Sequence, residues 1–222
     1  DPSKLACAVA FAFENPMDSC PCQFLVGDGA QLPLAAECCD LATSQDGFEH
    51  FPDPVGVLRE ANRILEPGGR FLIHFATYYT QYGPHLYNFI RVPRAHYFFS
   101  DAVMIEAARQ IAVELERRAA NAQRPMRETP MEQAEREIYQ FKHFINRMTL
   151  KRFKKIVPQS LGWRLVAFHR YCTTRREILF LELPYLDELC GAVICVLEKS
   201  PGSAVSHDDF RRARVCGLPR LM

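Results

Sequence analysis

The chain has 222 residues, nearly half of them hydrophobic and about a quarter charged, which is ordinary globular usage and excludes disordered and collagen-like chains. Lysine and arginine (27) almost balance aspartate and glutamate (26), so no global field exists to hold a nucleic acid, and nucleic acid is not expected as a partner. Apolar runs such as Phe71 to Ala76 are far shorter than a membrane span and no leader pattern is present, so a cytoplasmic protein without a membrane span is expected.

In chain order, residues 3–14 carry Leu5, Ala6, Val9, Phe11 and Phe13 and predict a helix packed on a sheet, stopped near Asn15-Pro16. Gln23-Phe24-Leu25-Val26 predicts a short buried parallel strand that delivers the turn Gly27-Asp28-Gly29. A second strand runs over 38–44. A helix follows from Asp53 or Pro54, with Val57, Leu58, Ala61, Ile64 and Leu65 inward and Pro67-Gly68-Gly69 closing it. Phe71 to Ala76 is the third strand.

Strand, helix and strand joined by short turns predict right-handed crossovers and an α/β, Rossmann-like doubly wound, mostly parallel sheet. A ligand is then expected outside the C-terminal ends of the strands, at 27–29, 44–50 and 77–82. Residues 77–148 form a helical, aromatic-rich insert, an acceptor pocket or lid, with a helix over 101–120 that turns Val103, Met104, Ala107, Ile111 and Leu115 inward. A polar loop or lid is expected over 121–130. Thr149 caps a short basic amphipathic helix with Leu150, Phe153, Ile156 and Val157 on its apolar face. Trp163 to His169 and Gly191 to Leu197 read as strands, and the tail 200–222, without periodicity, as loosely ordered.

Nine cysteines, among them Cys20-Pro21-Cys22 and Cys38-Cys39, do not repeat as paired C-x2-C knuckles. No metal site is expected, and reduced thiols acting as small hydrophobes are.

The stretches Val26-Gly27-Asp28-Gly29-Ala30-Gln31-Leu32-Pro33-Leu34, Cys39-Asp40-Leu41-Ala42-Thr43-Ser44, Glu49-His50-Phe51-Pro52-Asp53-Pro54 and Leu58 to Arg70 come in that order. Together they make the chain resemble the class I S-adenosylmethionine-dependent methyltransferases of the small-molecule type (methyltransferase type 11-like). The resemblance implies a core over 1–76, the last helix and a final antiparallel strand pair over 149–199, and S-adenosylmethionine as cofactor. It also implies cofactor-binding roles. Asp28 would accept the adenine amine and the Gly29-Ala30 backbone would meet a ring nitrogen. Gln45 and His50 would lie toward the methionine end. Tyr82 and His85, just after the third strand, are the candidate catalytic residues for a small, flat or apolar acceptor.

Each candidate has a plainer reading: Asp-Gly is a common turn, His50 can cap or pack, and aromatic residues fill cores. The family's Gly-rich turn and the acidic residue that holds the ribose are not found in the 222 residues. The resemblance therefore implies a chain cut before that motif, with the first strands missing and a second copy or a partner covering the sheet. The alternatives left open are a non-catalytic remnant or binding module and, less well supported, a nicotinamide dehydrogenase.

Overall fold

The computed structural model describes residues 23–80, 85–121, 128–171 and 191–212. The expected helix over 3–14 and the residue Tyr82 lie outside them.

The described sheet has four strands: β1 (Cys39–Gln45), β2 (Leu65–Ala76), β3 (Trp163–Tyr171) and β4 (Ala192–Lys199), in the order β1-β2-β4-β3. β1 and β2 are parallel, while β4 lies antiparallel to both β2 and β3. The last strand in sequence thus enters between two earlier ones, and the expected antiparallel pair at the end of the chain is formed. Helix α1 (Pro54–Ile64) makes the parallel crossover. Asp53 caps it by accepting the Gly56 N–H at 2.9 Å, Pro54 fills the first turn, and Val57, Leu58, Ala61 and Ile64 are buried.

Alternation along β2 buries Leu65, Phe71, Ile73 and Phe75 on one face. There Phe71, Ile73 and Phe75 stand opposite Leu197, Cys195 and Val193 of β4. Helix α4 (Leu150–Ile156) closes this core. Thr149 caps it by accepting the Arg152 N–H at 3.1 Å, as the sequence predicts, and Phe153 sits among Phe48, Phe75, Phe168 and Phe210 at centroid separations of 5.0–6.4 Å. A second core belongs to the insert: helices α2 (Asp101–Asn121) and α3 (Pro130–His143) pack Met104, Ala108 and Ala112 against Ala134, Ile138 and Phe141.

Several boundaries differ from the expectation. Residues 23–27 form no strand, and Leu25 and Val26 are 61% and 63% exposed, because no described segment pairs with them. Pro67-Gly68-Gly69 does not end the helix. The helix stops at Ile64, and the Pro-Gly-Gly is a bulge inside β2, where the register passes from Cys39↔Leu65 to Leu41↔Arg70 and Gly68 takes φ +82°. On α2 the buried stripe is Met104, Ala108 and Ala112, since alanines let α3 approach closely; Val103 is 51% exposed. Helix α3 was not read within the insert, although Thr129 and Glu132 form a complete capping box at its start. The tail is ordered where it begins: Ser206 and Asp209 cap helix α5 (His207–Arg212), which brings Phe210 onto Phe168.

Replacing Phe153 with alanine should lower unfolding free energy by about 3–5 kcal/mol, as measured by denaturant titration with the slope unchanged.

Candidate functional site

Two features adjoin the parallel pair: an apolar cavity between β1 and α1, with Phe51 in its lining, and a polar cluster just past the end of β1. The cavity has a volume of about 320 Å³ and is lined by Gly27, Gly29, Leu32, Ser44, Phe51 and Val57 among others. Its floor is set by α1. Glu60 accepts the Leu32 N–H at 2.7 Å, and Arg63, paired with Glu60 at 2.7 Å, donates to the Leu34 carbonyl at 2.8 Å. The Arg63 guanidinium beside it holds the Glu60 carboxyl below the usual carboxylate range. This pair ties the loop that follows Asp28 to the helix.

At the turn itself, Asp28 Oδ1 accepts the Ala30 N–H at 2.9 Å, and the Gln31 N–H reaches the Asp28 carbonyl at 2.9 Å. The Ala30 N–H that the resemblance directs at a ligand is thus committed within the turn. Gly29 lines the cavity and is required there, because a Cβ would lie 2.8 Å from Phe51 Cε1. Ser44 is part of the same lining, and its hydroxyl is buried without a hydrogen-bond partner. Gln45 ends β1 and is exposed.

The polar cluster is built on a 3₁₀ turn, Phe48–His50. Phe48 enters the core completely, so its neighbour Glu49 is carried under the surface and is 4% exposed. His50 follows on the solvent side. Its Nδ1 donates to the Phe144 carbonyl at 2.8 Å, and its ring meets the His85 ring edge-on with centroids 5.0 Å apart. His85 holds φ +60°, a left-handed backbone that costs a side-chain-bearing residue energy and clusters at functional sites. One ligand atom from each of Glu49, His50 and His85 lies within 4.8 Å of the other two. Beside them His74 Nδ1 is 3.0 Å from Asp46 Oδ1.

Burial, opposed by backbone N–H groups and by His50, raises the Glu49 carboxyl. Burial and then His50 lower the His85 imidazole, with Asp46 opposing; burial also lowers His96.

Asn146, from the segment after α3, locks the turn. Its side-chain amide donates to the Phe48 and Phe51 carbonyls, each at 2.9 Å, and its own N–H donates to the Glu49 carbonyl at 2.8 Å.

Of the residues singled out in the sequence, His50 and His85 are therefore brought together, while Gly29 lines the cavity with Asp28 and Ala30 beside it in the turn. Tyr82 is outside the described residues. Glu49 and Asn146 are not among the residues the sequence singles out. The signal for Glu49 was its place between an inward Phe48 and His50, whereas nothing in the sequence pairs Asn146 with a turn nearly a hundred residues away.

Comparison with known proteins follows the same line. Residues 1–73 match the family described as "Methyltransferase domain". A demethylmenaquinone methyltransferase of Corynebacterium kroppenstedtii is 37% identical over 67 residues, 26% of this chain and 29% of that protein. A ubiquinone/menaquinone biosynthesis C-methyltransferase of Acidiphilium cryptum is 44% identical over 48 residues, 22% of this chain and 19% of that protein. The chain thus spans less than a third of the length of these curated relatives. A solved SAM-dependent methyltransferase structure from Methanosarcina mazei superposes with a TM-score of 0.52 at 14% identity, covering 90% of this chain and 79% of that one. The front third of the chain is thus similar in sequence to the methyltransferase-domain family, and the fold is Rossmann-like. Among the described residues no helix is long and apolar enough to cross a membrane.

Two predictions follow from this geometry. Asn146→Ala strands two carbonyls and should destabilise the protein by roughly 1–3 kcal/mol in denaturant titration. His85 and His96, with imidazoles lowered in the folded state, bind protons more weakly there than in the unfolded chain. Stability is therefore full above the ordinary value near 6.5 and falls as pH drops below it. Melting temperature should fall from pH 7 to pH 5, and His85→Asn with His96→Asn should flatten that fall.

Proposed function

We infer, from the match of residues 1–73 to the methyltransferase-domain family, that the chain acts in S-adenosylmethionine-dependent methyl transfer to a small acceptor. The observation that supports the reading is the apolar cavity between β1 and α1, beside the Asp28-Gly29 turn.

The residues present fit the cofactor. Gly29 offers bare backbone on the cavity wall, and Leu32, Phe51 and Val57 make the wall around it apolar, as a flat adenine ring requires. Asp28 has one carboxylate oxygen engaged within the turn and a second left to accept an adenine amine. Gln45 and His50, at the end of β1 and just beyond it, would hold the methionine end. S-adenosylmethionine, when bound, supplies an already activated methyl group. The contribution of this chain is then to hold donor and acceptor in line and to exclude water.

The acceptor we propose is flat or apolar. The curated relatives named above are quinone-biosynthesis methyltransferases, and the start of the insert is a bank of packed rings: Tyr78, Tyr79, His96 and Tyr97 meet at centroid separations of 4.9–6.5 Å. His85 and Tyr82 are the candidate groups to take a proton from a hydroxyl acceptor. Burial keeps the His85 imidazole neutral and so able to act as a base. The cytoplasm and a homo-oligomer or partner over the sheet belong to the same proposal.

Isothermal titration with S-adenosylhomocysteine should give micromolar binding, weakened about tenfold or more by Asp28→Ala, a loss of about 1.4 kcal/mol. Methyl transfer to a demethylated naphthoquinol should follow. Absence of binding at millimolar ligand would instead favour a non-catalytic module.

A further inference from the structure

We propose that Glu49, His50 and His85 form a binding site for one divalent first-row transition-metal ion of the zinc type. Two imidazoles and a carboxylate are the donor set that such ions take, and three protein ligands leave positions open for water or for an oxygen of a small acceptor.

The geometry carries the argument. Ligand atoms of the three residues lie within 4.8 Å of one another, although they come from two separate segments, the 3₁₀ turn and the start of the insert. Zinc bonds of roughly 2.1 Å hold tetrahedral donors about 3.4 Å apart, so closing onto an ion needs side-chain movements on the order of 1 Å. Glu49 supplies the independent sign of a ligand: it is 4% exposed, and its Oε2 is buried with no hydrogen-bond partner. Leaving a carboxylate oxygen in that state is costly, and a bound cation would offset the cost.

The histidines are set for the task. Because His50 Nδ1 donates to the Phe144 carbonyl, the tautomer is fixed and Nε2 carries the free lone pair, the arrangement in which metal-binding histidines are commonly held by an outer carbonyl. His85 holds its ring edge-on to His50 from a strained backbone at φ +60°. Asp46 adds a further carboxylate close enough to influence both Glu49 and His85.

Binding of the ion does not rest on the methyl-transfer reading; only its use to seat an acceptor oxygen does, and with the ion bound His50 and His85 are ligands, so His85 as a base and His50 beside the methionine end belong to the metal-free site. The test keeps the two apart. The full chain, stripped with chelator, is titrated with CoCl2 followed by absorption in the visible, and with ZnCl2 by calorimetry, both without S-adenosyl compounds. One equivalent of cobalt should develop the intense bands of a four-coordinate site, and zinc should displace it. Glu49→Gln, nearly isosteric, and His85→Asn should each weaken binding about tenfold or more, while a Cys38→Ser, Cys39→Ser double variant should bind normally. Folding of each variant is checked by its melt. Absence of stoichiometric binding, binding unchanged in Glu49→Gln, or binding lost in the cysteine variant would overturn the proposal. Whether S-adenosylhomocysteine binds in the presence of chelator is a separate result and bears only on the methyl-transfer reading.

Discussion

The complete burial of Phe48 is the constraint on which the rest of the site depends. This ring stands at the junction of β1, β2 and α4, with Phe51, Phe75 and Phe153 around it at centroid separations of 5.6–6.1 Å. The chain reaches it only two residues after leaving β1, through Asp46 at φ +48°, so the turn that follows has almost no freedom. A 3₁₀ turn advances about a third of a revolution per residue. Once Phe48 points inward, Glu49 is trapped below the surface and His50 emerges beside the insert. The chemistry of the cluster is therefore dictated by a packing event, and the unfavourable burial of Glu49 is tolerated because the aromatic core around Phe48 offsets it.

Phe51 performs the complementary task on the other side of the turn. It is the wall of the apolar cavity and also the reason residue 29 has no side chain, since a Cβ there would meet its ring. One four-residue segment thus sets the shape of a cavity suited to an apolar or aromatic group and, a residue away, the position of a cluster suited to charge.

What the sequence discloses about this arrangement divides along a physical line. Local signals read correctly: Asp53-Pro54 and Thr149 as helix starts, the alternation of Phe71, Ile73 and Phe75, and the strands at Trp163 and Ala192. Each depends on neighbours within a turn or two. The strand expected at 23–26 fails because a parallel strand exists only through its partner, and no described segment supplies one. The α2 face was misplaced because both stripes are apolar, and the choice between them is made by α3, a helix masked in sequence by its many charges. For the site, His50 and His85 could be named from their places after strands, but their contact could not. It is fixed by the path of the insert, and the clamp at Asn146 is fixed from nearly a hundred residues away.

That clamp also says how the insert communicates with the site. The α2–α3 hairpin has its own core around Ala108, Ala112 and Ile138, separate from the core under the sheet. Where it returns to the sheet, three consecutive features grip the site: the Phe144 carbonyl holds His50, Asn146 holds the turn, and Arg147 lies over the Tyr78 and Phe141 rings while pairing with Asp101 at the start of α2. The hairpin is thus tied to the His50 ring through the Phe144 carbonyl, to the turn through Asn146, and to Tyr78 through the Arg147 guanidinium and the Met148 carbonyl. The insert and the polar cluster are therefore one mechanical unit: the segment that closes the second core also fixes the His50 ring and the turn that carries Glu49.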